Sequence, residues 1–214
     1  NNDNCRKVTS IGRRSIINDE NHDKLIDIIV DSLYDLSSTK DKWTDHDVFF
    51  NCIGTTRKRA GSAKKFIEIE FGISMIAAQL AADANIPHAS LVSARGANPN
   101  QWALDWIHPL LYIRTMGQKE QTLITNIFDR ASIFRPGLLN RLMDDNWIGR
   151  TLKDMDLGLR VDDLASVMIY DAENSNVSSI KKPVITYLDN NKIKSIVNQI
   201  TCKFQQKKRT AGRI

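Results

Sequence analysis

The sequence is short of the residues that staple small secreted folds or hold metals. Its three cysteines, Cys5, Cys52 and Cys202, are far apart, odd in number and outside any C-x-x-C. Its four histidines, His22, His46, His88 and His108, have no ligand spacing. A disulfide framework and a zinc site are therefore not expected, and a reducing compartment is. No apolar run approaches the ~20 residues of a membrane helix, so no span is expected. Nothing at the start reads as a signal peptide, and the first residue is Asn rather than Met, so the chain is expected to be a fragment or processed product. Ten glycines occur without a G-x-x-G-x-x-G, the turn that cradles phosphates in many nucleotide-binding folds. Acids are missing from the end of the chain. The stretch after Cys202 holds Lys203, Lys207, Lys208, Arg209 and Arg213, which accounts for the whole net charge of +5. Residues 1–201 are thus neutral overall. A nucleic-acid-binding domain carries its cations on a groove or helix face, so no nucleic-acid partner is expected. The basic tail reads as a solvated terminus.

The chain does contain three strand ends of one kind. In Phe49-Phe50-Asn51-Cys52-Ile53-Gly54-Thr55-Thr56-Arg57 an apolar run stops at a glycine, followed by hydroxyls and a cation. A buried parallel strand ends this way when its carboxyl edge faces a ligand. The glycine admits close backbone approach. Ser90-Leu91-Val92-Ser93-Ala94-Arg95-Gly96 and Ala131-Ser132-Ile133-Phe134-Arg135-Pro136-Gly137 repeat the pattern. Ordinary strand-to-loop turns explain any one of them, and explain the series less well.

Further strands are expected over residues 7–14, 25–31 and 183–188. Helices are expected over 33–43, 62–84, 110–126, 161–172 and 191–200. The 62–84 helix is the clearest, with Phe66, Ile69, Ile73, Ile76 and Leu80 at three- and four-residue steps. Gly72 lies inside it, which costs ~1 kcal/mol relative to Ala and predicts a close packing contact. Alternation of strands and helices gives the class α/β with a doubly wound, largely parallel sheet. The expected organisation is one domain over 1–201 and a basic tail over 202–214.

These residues resemble the Tat-interactive protein family, among the atypical short-chain dehydrogenases/reductases. The likeness is carried in order by Ile11-Gly12-Arg13-Arg14, Cys52-Ile53-Gly54-Thr55-Thr56-Arg57 with Ala60-Gly61, Val92-Ser93-Ala94-Arg95-Gly96-Ala97, and Phe134-Arg135-Pro136-Gly137. It implies a Rossmann fold that binds NADP(H). It implies that Arg13 and Arg14 meet the 2′-phosphate, that Asp31 contacts adenine, that Gly54, Thr55 and Thr56 line the ribose and pyrophosphate, and that Pro136 and Gly137 lie near the nicotinamide. Other readings remain for these residues: a solvated arginine pair, and a helix N-cap for Asp31.

Two departures from the family stand out. The family places a strand and a Gly-rich turn before the Arg-Arg strand, and that strand is central in the sheet. Its lack leaves unpaired edges within the sheet and weakens cofactor binding. The second departure is chemical. The superfamily uses Ser, then Tyr-x-x-x-Lys, whose Lys holds the cofactor ribose and lowers the Tyr pKa. Here Ser93 and Tyr112 stand in the catalytic positions, but the Lys position is Met116. An ammonium ~4 Å from the phenol at effective dielectric ~20 is worth about 4 kcal/mol, or roughly three pK units, and a thioether supplies none of it. Lys119 is a distant substitute. Tyr112 is then either a weak acid–base group or a packing aromatic. An extra stretch around Trp102, Trp106 and Pro109 is expected to reshape the substrate pocket. The resemblance thus implies an NADP(H)-binding protein with a degenerate active site and a redox-sensing or regulatory role toward a protein partner. The alternatives are an active NADPH-dependent oxidoreductase with an altered proton relay, and a non-catalytic scaffold. Relatives imply the cytoplasm, or alternatively the mitochondrion.

Overall fold

The computed structural model describes residues 2–17, 23–140, 158–175 and 183–211. Strand β1 (Val8–Gly12) pairs in parallel with β2 (Leu25–Ile29). A 3-10 turn at Ser37–Lys42 replaces the helix expected over 33–43. Then come β3 (Val48–Asn51), α1 (Arg57–Ala60), α2 (Ala63–Ile67) and α3 (Ile73–Asp83). Next are β4 (His88–Val92), α4 (His108–Thr125) and β5 (Arg130–Arg135). The short parallel pair β6 (Leu138–Asn140) and β7 (Gly158–Arg160) follows, which the sequence did not suggest. Helix α5 (Val161–Asn174), β8 (Val184–Asp189) and α6 (Asn190–Ala211) complete the chain.

The main sheet has the order β3-β4-β5-β8, with every pairing parallel. Its strands alternate with helices, the doubly wound arrangement expected. The β1-β2 ribbon forms a sheet of its own. Among the described residues β1 and β3 share no ladder, so the β1-β2 ribbon and the four-stranded sheet are separate. One link across the division is the His46 imidazole, whose Nε2 lies 2.8 Å from Thr9 Oγ1. The core below β3 and β4 gathers Leu36, Trp43, Phe49, Ala78, Leu91 and Leu123, with Ile11 and Ile28 packed against it. A second core joins Phe134, Leu164, Val167, Leu188 and Ile193 under β5 and β8.

The long helix after β3 is continuous from Ala63 to Asp83 but contains a π turn at Glu68–Gly72. Such a turn inserts one extra residue and re-aims the side chains around it. Phe66 before it is fully buried, which contributes about 1.5–3 kcal/mol. Gly72 closes the turn, and a Cβ there would meet nothing within 4 Å, so the expected packing contact is absent. The close contact lies at Gly117 on α4, where a Cβ would sit 2.1 Å from the Pro99 nitrogen. Helix α6 runs on to Ala211. The first part of the expected tail is therefore helical, and residues 212–214 lie outside the described residues.

The amino end of the sheet is closed by a polar network. His88 is fully buried, with Nε2 3.0 Å from Ser132 Oγ, and Ser132 donates to Asp171 at 2.6 Å. Arg130 also donates to Asp171, at 2.7 Å. This ties α5 to β4 and β5 on the edge opposite the candidate site.

Candidate functional site

Helix α4 places two adjacent charged residues inside the fold, and each one holds a different strand end. Lys119 donates to the Ile53 carbonyl and, at 3.1 Å, to Glu70 Oε2. Glu70, from the π turn, accepts the Thr55 backbone N–H on its other oxygen at 2.6 Å. The Lys119–Glu70 pair thus clasps the backbone on both sides of Gly54, beyond the carboxyl end of β3. Both side chains are buried, which ion pairs tolerate only when nearly every donor and lone pair is used.

Glu120 faces the next two strands. Its carboxylate accepts the Ser93 hydroxyl at 2.6 Å beyond β4 and the Arg135 guanidinium at the end of β5, with Arg135 Nε at 2.8 Å. The bidentate contact holds the Arg135 pKa above its usual range, the hydrogen bonds to Glu120 being the larger cause. Arg135 also lies over the Tyr187 ring, 4.4 Å from its centroid. The β4–β5 ladder continues past both strands, as Ser93 N donates to Phe134 O at 2.8 Å and Arg95 N to Pro136 O at 3.0 Å. Gly137 N donates to Asn190 Oδ1 at 3.2 Å, at the head of α6. One helix therefore fixes three successive strand ends along a common edge.

Tyr112 lies about two turns before Lys119 and Glu120 on α4. It packs on Phe66 and His108, with ring centroids 6.1 and 6.3 Å away. Met116 is buried among Ala94, Ala97 and Tyr112. Burial first, and the Glu70 carboxylate second, push the Tyr112 phenol above its ordinary value. A working Tyr-x-x-x-Lys pair requires the opposite shift. Lys119 does not fill the gap, because its ammonium serves Glu70 and Ile53. Arg114 is spent as well, donating to Ala103 O at 3.0 Å.

The expected site residues thus fall into two groups. Gly54, Thr55, Ser93, Tyr112, Pro136 and Gly137 stand around α4 or on the strand ends it fixes. Thr56 caps α1, accepting Arg59 N at 3.2 Å. Arg13 and Arg14 are exposed beyond β1, and Asp31 is exposed beyond β2, which ends at Ile29. Among the described residues no hydrogen bond or ion pair links these three to the α4 group. The Ser93 hydroxyl is buried on Glu120 rather than presented to Tyr112. Glu70 and Glu120 were not singled out from the sequence, although a signal existed. Glu70 sits between Phe66 and Ile73 on the apolar stripe, and Glu120 sits between Met116 and Leu123. A charge on a buried stripe requires a partner.

The stretch between β4 and α4 contributes Ala97 and Ala103 to the two clusters against which Tyr112 packs. It lies along α4, with Asn98 N donating to Ile113 O at 3.1 Å and Pro99 seated on Gly117.

No protein-family profile matches the chain. It is 34% identical over 133 residues to Protein HTATIP2 of Rattus norvegicus, covering 62% of this chain and 52% of that protein. It is 37% identical over 98 residues to Protein FMP52, mitochondrial, of Meyerozyma guilliermondii, covering 46% of this chain and 39% of that one. The chain therefore spans about half the length, or less, of these curated relatives. Among solved structures it is similar to the dTDP-glucose 4,6-dehydratase DesIV of Streptomyces venezuelae, with NAD and DAU bound. The TM-score is 0.59 at 11% identity, covering 90% of this chain and 71% of that one. It is also similar to MoeE5 in complex with UDP-glucose and NAD, at TM-score 0.58 and 12% identity, covering 92% and 74%. The chain is similar to a Tat-interactive protein over about half of that protein's length, and its fold is the Rossmann-like fold of these solved enzymes.

Proposed function

We propose that this chain is a short-chain-dehydrogenase-like protein that binds NADP(H) at the edge organised by α4, turns it over poorly or not at all, and passes redox state to a protein partner. The observation that carries the reading is the environment of Tyr112. Its i+4 neighbour is a buried thioether, the nearby carboxylate of Glu70 opposes ionisation, and Lys119 is engaged by Glu70.

Dinucleotide binding rests on the strand ends. Asn51 closes β3 with its side-chain nitrogen buried and without a partner, the kind of orphan donor a ligand satisfies. A Cβ on Gly54 would meet only Glu70 Oε1, at an ordinary 3.6 Å. The chain's own packing therefore does not demand glycine there, while a ligand lying close would. Gly54, Thr55 and Thr56 would hold the ribose side and Pro136 and Gly137 the nicotinamide side. The exposed Arg13 and Arg14 would select the 2′-phosphate. Bound NADPH supplies a hydride. The chain's part is to position it, and with Tyr112 held neutral it does little to move the accompanying proton. The name of the relative FMP52, mitochondrial, supports a mitochondrial location for this chain, the alternative being the cytoplasm.

A carbonyl screen that follows NADPH absorbance tests the catalytic half of this reading. Absent or marginal consumption is expected. Brisk turnover that Tyr112→Phe abolishes would establish the altered-relay oxidoreductase instead.

A further inference from the structure

The loop at residues 98–107 is fixed at its base and apolar at its tip. Ala103 is buried in a small cluster with Ala60, Ala63, Phe66 and Leu111. Arg114 holds its carbonyl, and Pro99 is locked against Gly117. From this base Trp102, Leu104 and Trp106 project outward, 64%, 41% and 79% exposed. Two indoles held in water by a rigid loop mark an interaction surface.

The other wall of the same cluster is the α1–α2 segment. Its Ala60, Ala63 and Phe66 face inward. Lys58, Arg59, Lys64 and Lys65 are exposed beside them, and Arg57 is half-buried. The acids on this face are Glu68, 4.0 Å from Lys64, and Asp105 within the loop. The surface therefore combines aromatic prongs with an excess of positive charge.

We infer that this face docks on an anionic lipid bilayer, with the indoles seated at the headgroup level and the lysines and arginines over the lipid phosphates. Tryptophan favours that depth because its ring is apolar and its N–H still finds a partner. Basic side chains add attraction to anionic headgroups. The three exposed apolar side chains alternate along one short loop, an arrangement suited to a soft interface. No described helix is long and apolar enough to cross a membrane. The inference does not depend on dinucleotide binding.

Co-sedimentation of the chain with vesicles tests it. The chain should pellet with phosphatidylcholine–phosphatidylserine vesicles, far less with phosphatidylcholine alone, and less as salt rises. The Trp102→Ala/Trp106→Ala variant should lose at least tenfold in partitioning. Lys64→Ala/Lys65→Ala should lose about fivefold per cation. All of these side chains are exposed, so thermal unfolding should match the parent chain, and brominated lipid should quench the indoles of the parent. Failure to bind anionic vesicles, binding indifferent to both variants, or binding to a DNA duplex without binding to vesicles would overturn the inference.

Discussion

Lys119 Nζ lies 3.1 Å from Glu70 Oε2, with the two side chains only 1% and 3% exposed. The pair joins α4 to the π turn and grips the backbone around Gly54 through Ile53 O and Thr55 N–H. The resemblance implies a lysine four residues after Tyr112, at the position of Met116, to serve the phenol. Here the lysine lies three residues further along and serves a strand end.

Removing one member of a buried pair strands the other. Lys119→Met should destabilise the chain by about 3–5 kcal/mol, whereas Lys119→Met/Glu70→Leu should recover most of that loss. Urea unfolding of the two variants beside the parent measures both. Equal losses in the two variants would show that the pair holds the loop through more than its charges.

Met116→Lys would return a cation to the position one turn after Tyr112. At ~4 Å and effective dielectric ~20 that cation would lower the phenol by roughly three pK units. It should also raise NADPH-dependent turnover by about tenfold or more. Tyrosinate absorbance against pH, on Met116→Lys and its Tyr112→Phe counterpart, reads the shift directly. An unmoved titration would place the relay's defect elsewhere than at residue 116.

Much of this was legible in the sequence where a local signal sufficed. Apolar runs ending at Gly54, Ser93 and Pro136 announced parallel strands, and the three- and four-residue steps of Phe66 to Leu80 announced a helix. The π turn was not legible, because Glu68 to Gly72 keeps the apolar stripe while shifting its phase by one residue. Nor was the partner choice of Lys119. Spacing places it on the Tyr112 face, and only the packing of α4 against the π turn shows that Glu70 reaches it first. The strand pair β6 and β7 joins segments of three residues each, too short for any periodicity to declare.

Gly117→Ala would put a methyl group 2.1 Å from the Pro99 nitrogen, a backbone atom that cannot swing aside. Overpacking of this kind costs about 1–3 kcal/mol. The strain should appear as a lower melting temperature, together with altered indole fluorescence from the displaced loop. Gly72→Ala meets open space and sits in a helix, so it should be neutral or mildly stabilising.

The buried His88 gives a pH dependence. Burial chiefly, with the Arg130 charge adding to it and Asp171 opposing, lowers its pKa from 6.5 to about 4. The folded chain thus takes up the proton later than the unfolded chain does. The stability associated with neutral His88 is fully present above pH 6.5 and is lost as pH falls toward 4, by about 3 kcal/mol. Urea midpoints across that window should fall for the parent chain, and His88→Gln should flatten this part of the profile.

The most direct test of the central claim is equilibrium titration with NADPH, followed by fluorescence, on the parent chain and on Arg13→Ala/Arg14→Ala. Saturable NADPH binding that the arginine variant weakens while leaving NADH unaffected, with no consumption of the coenzyme, is the expected result. No saturable binding of either dinucleotide would contradict it.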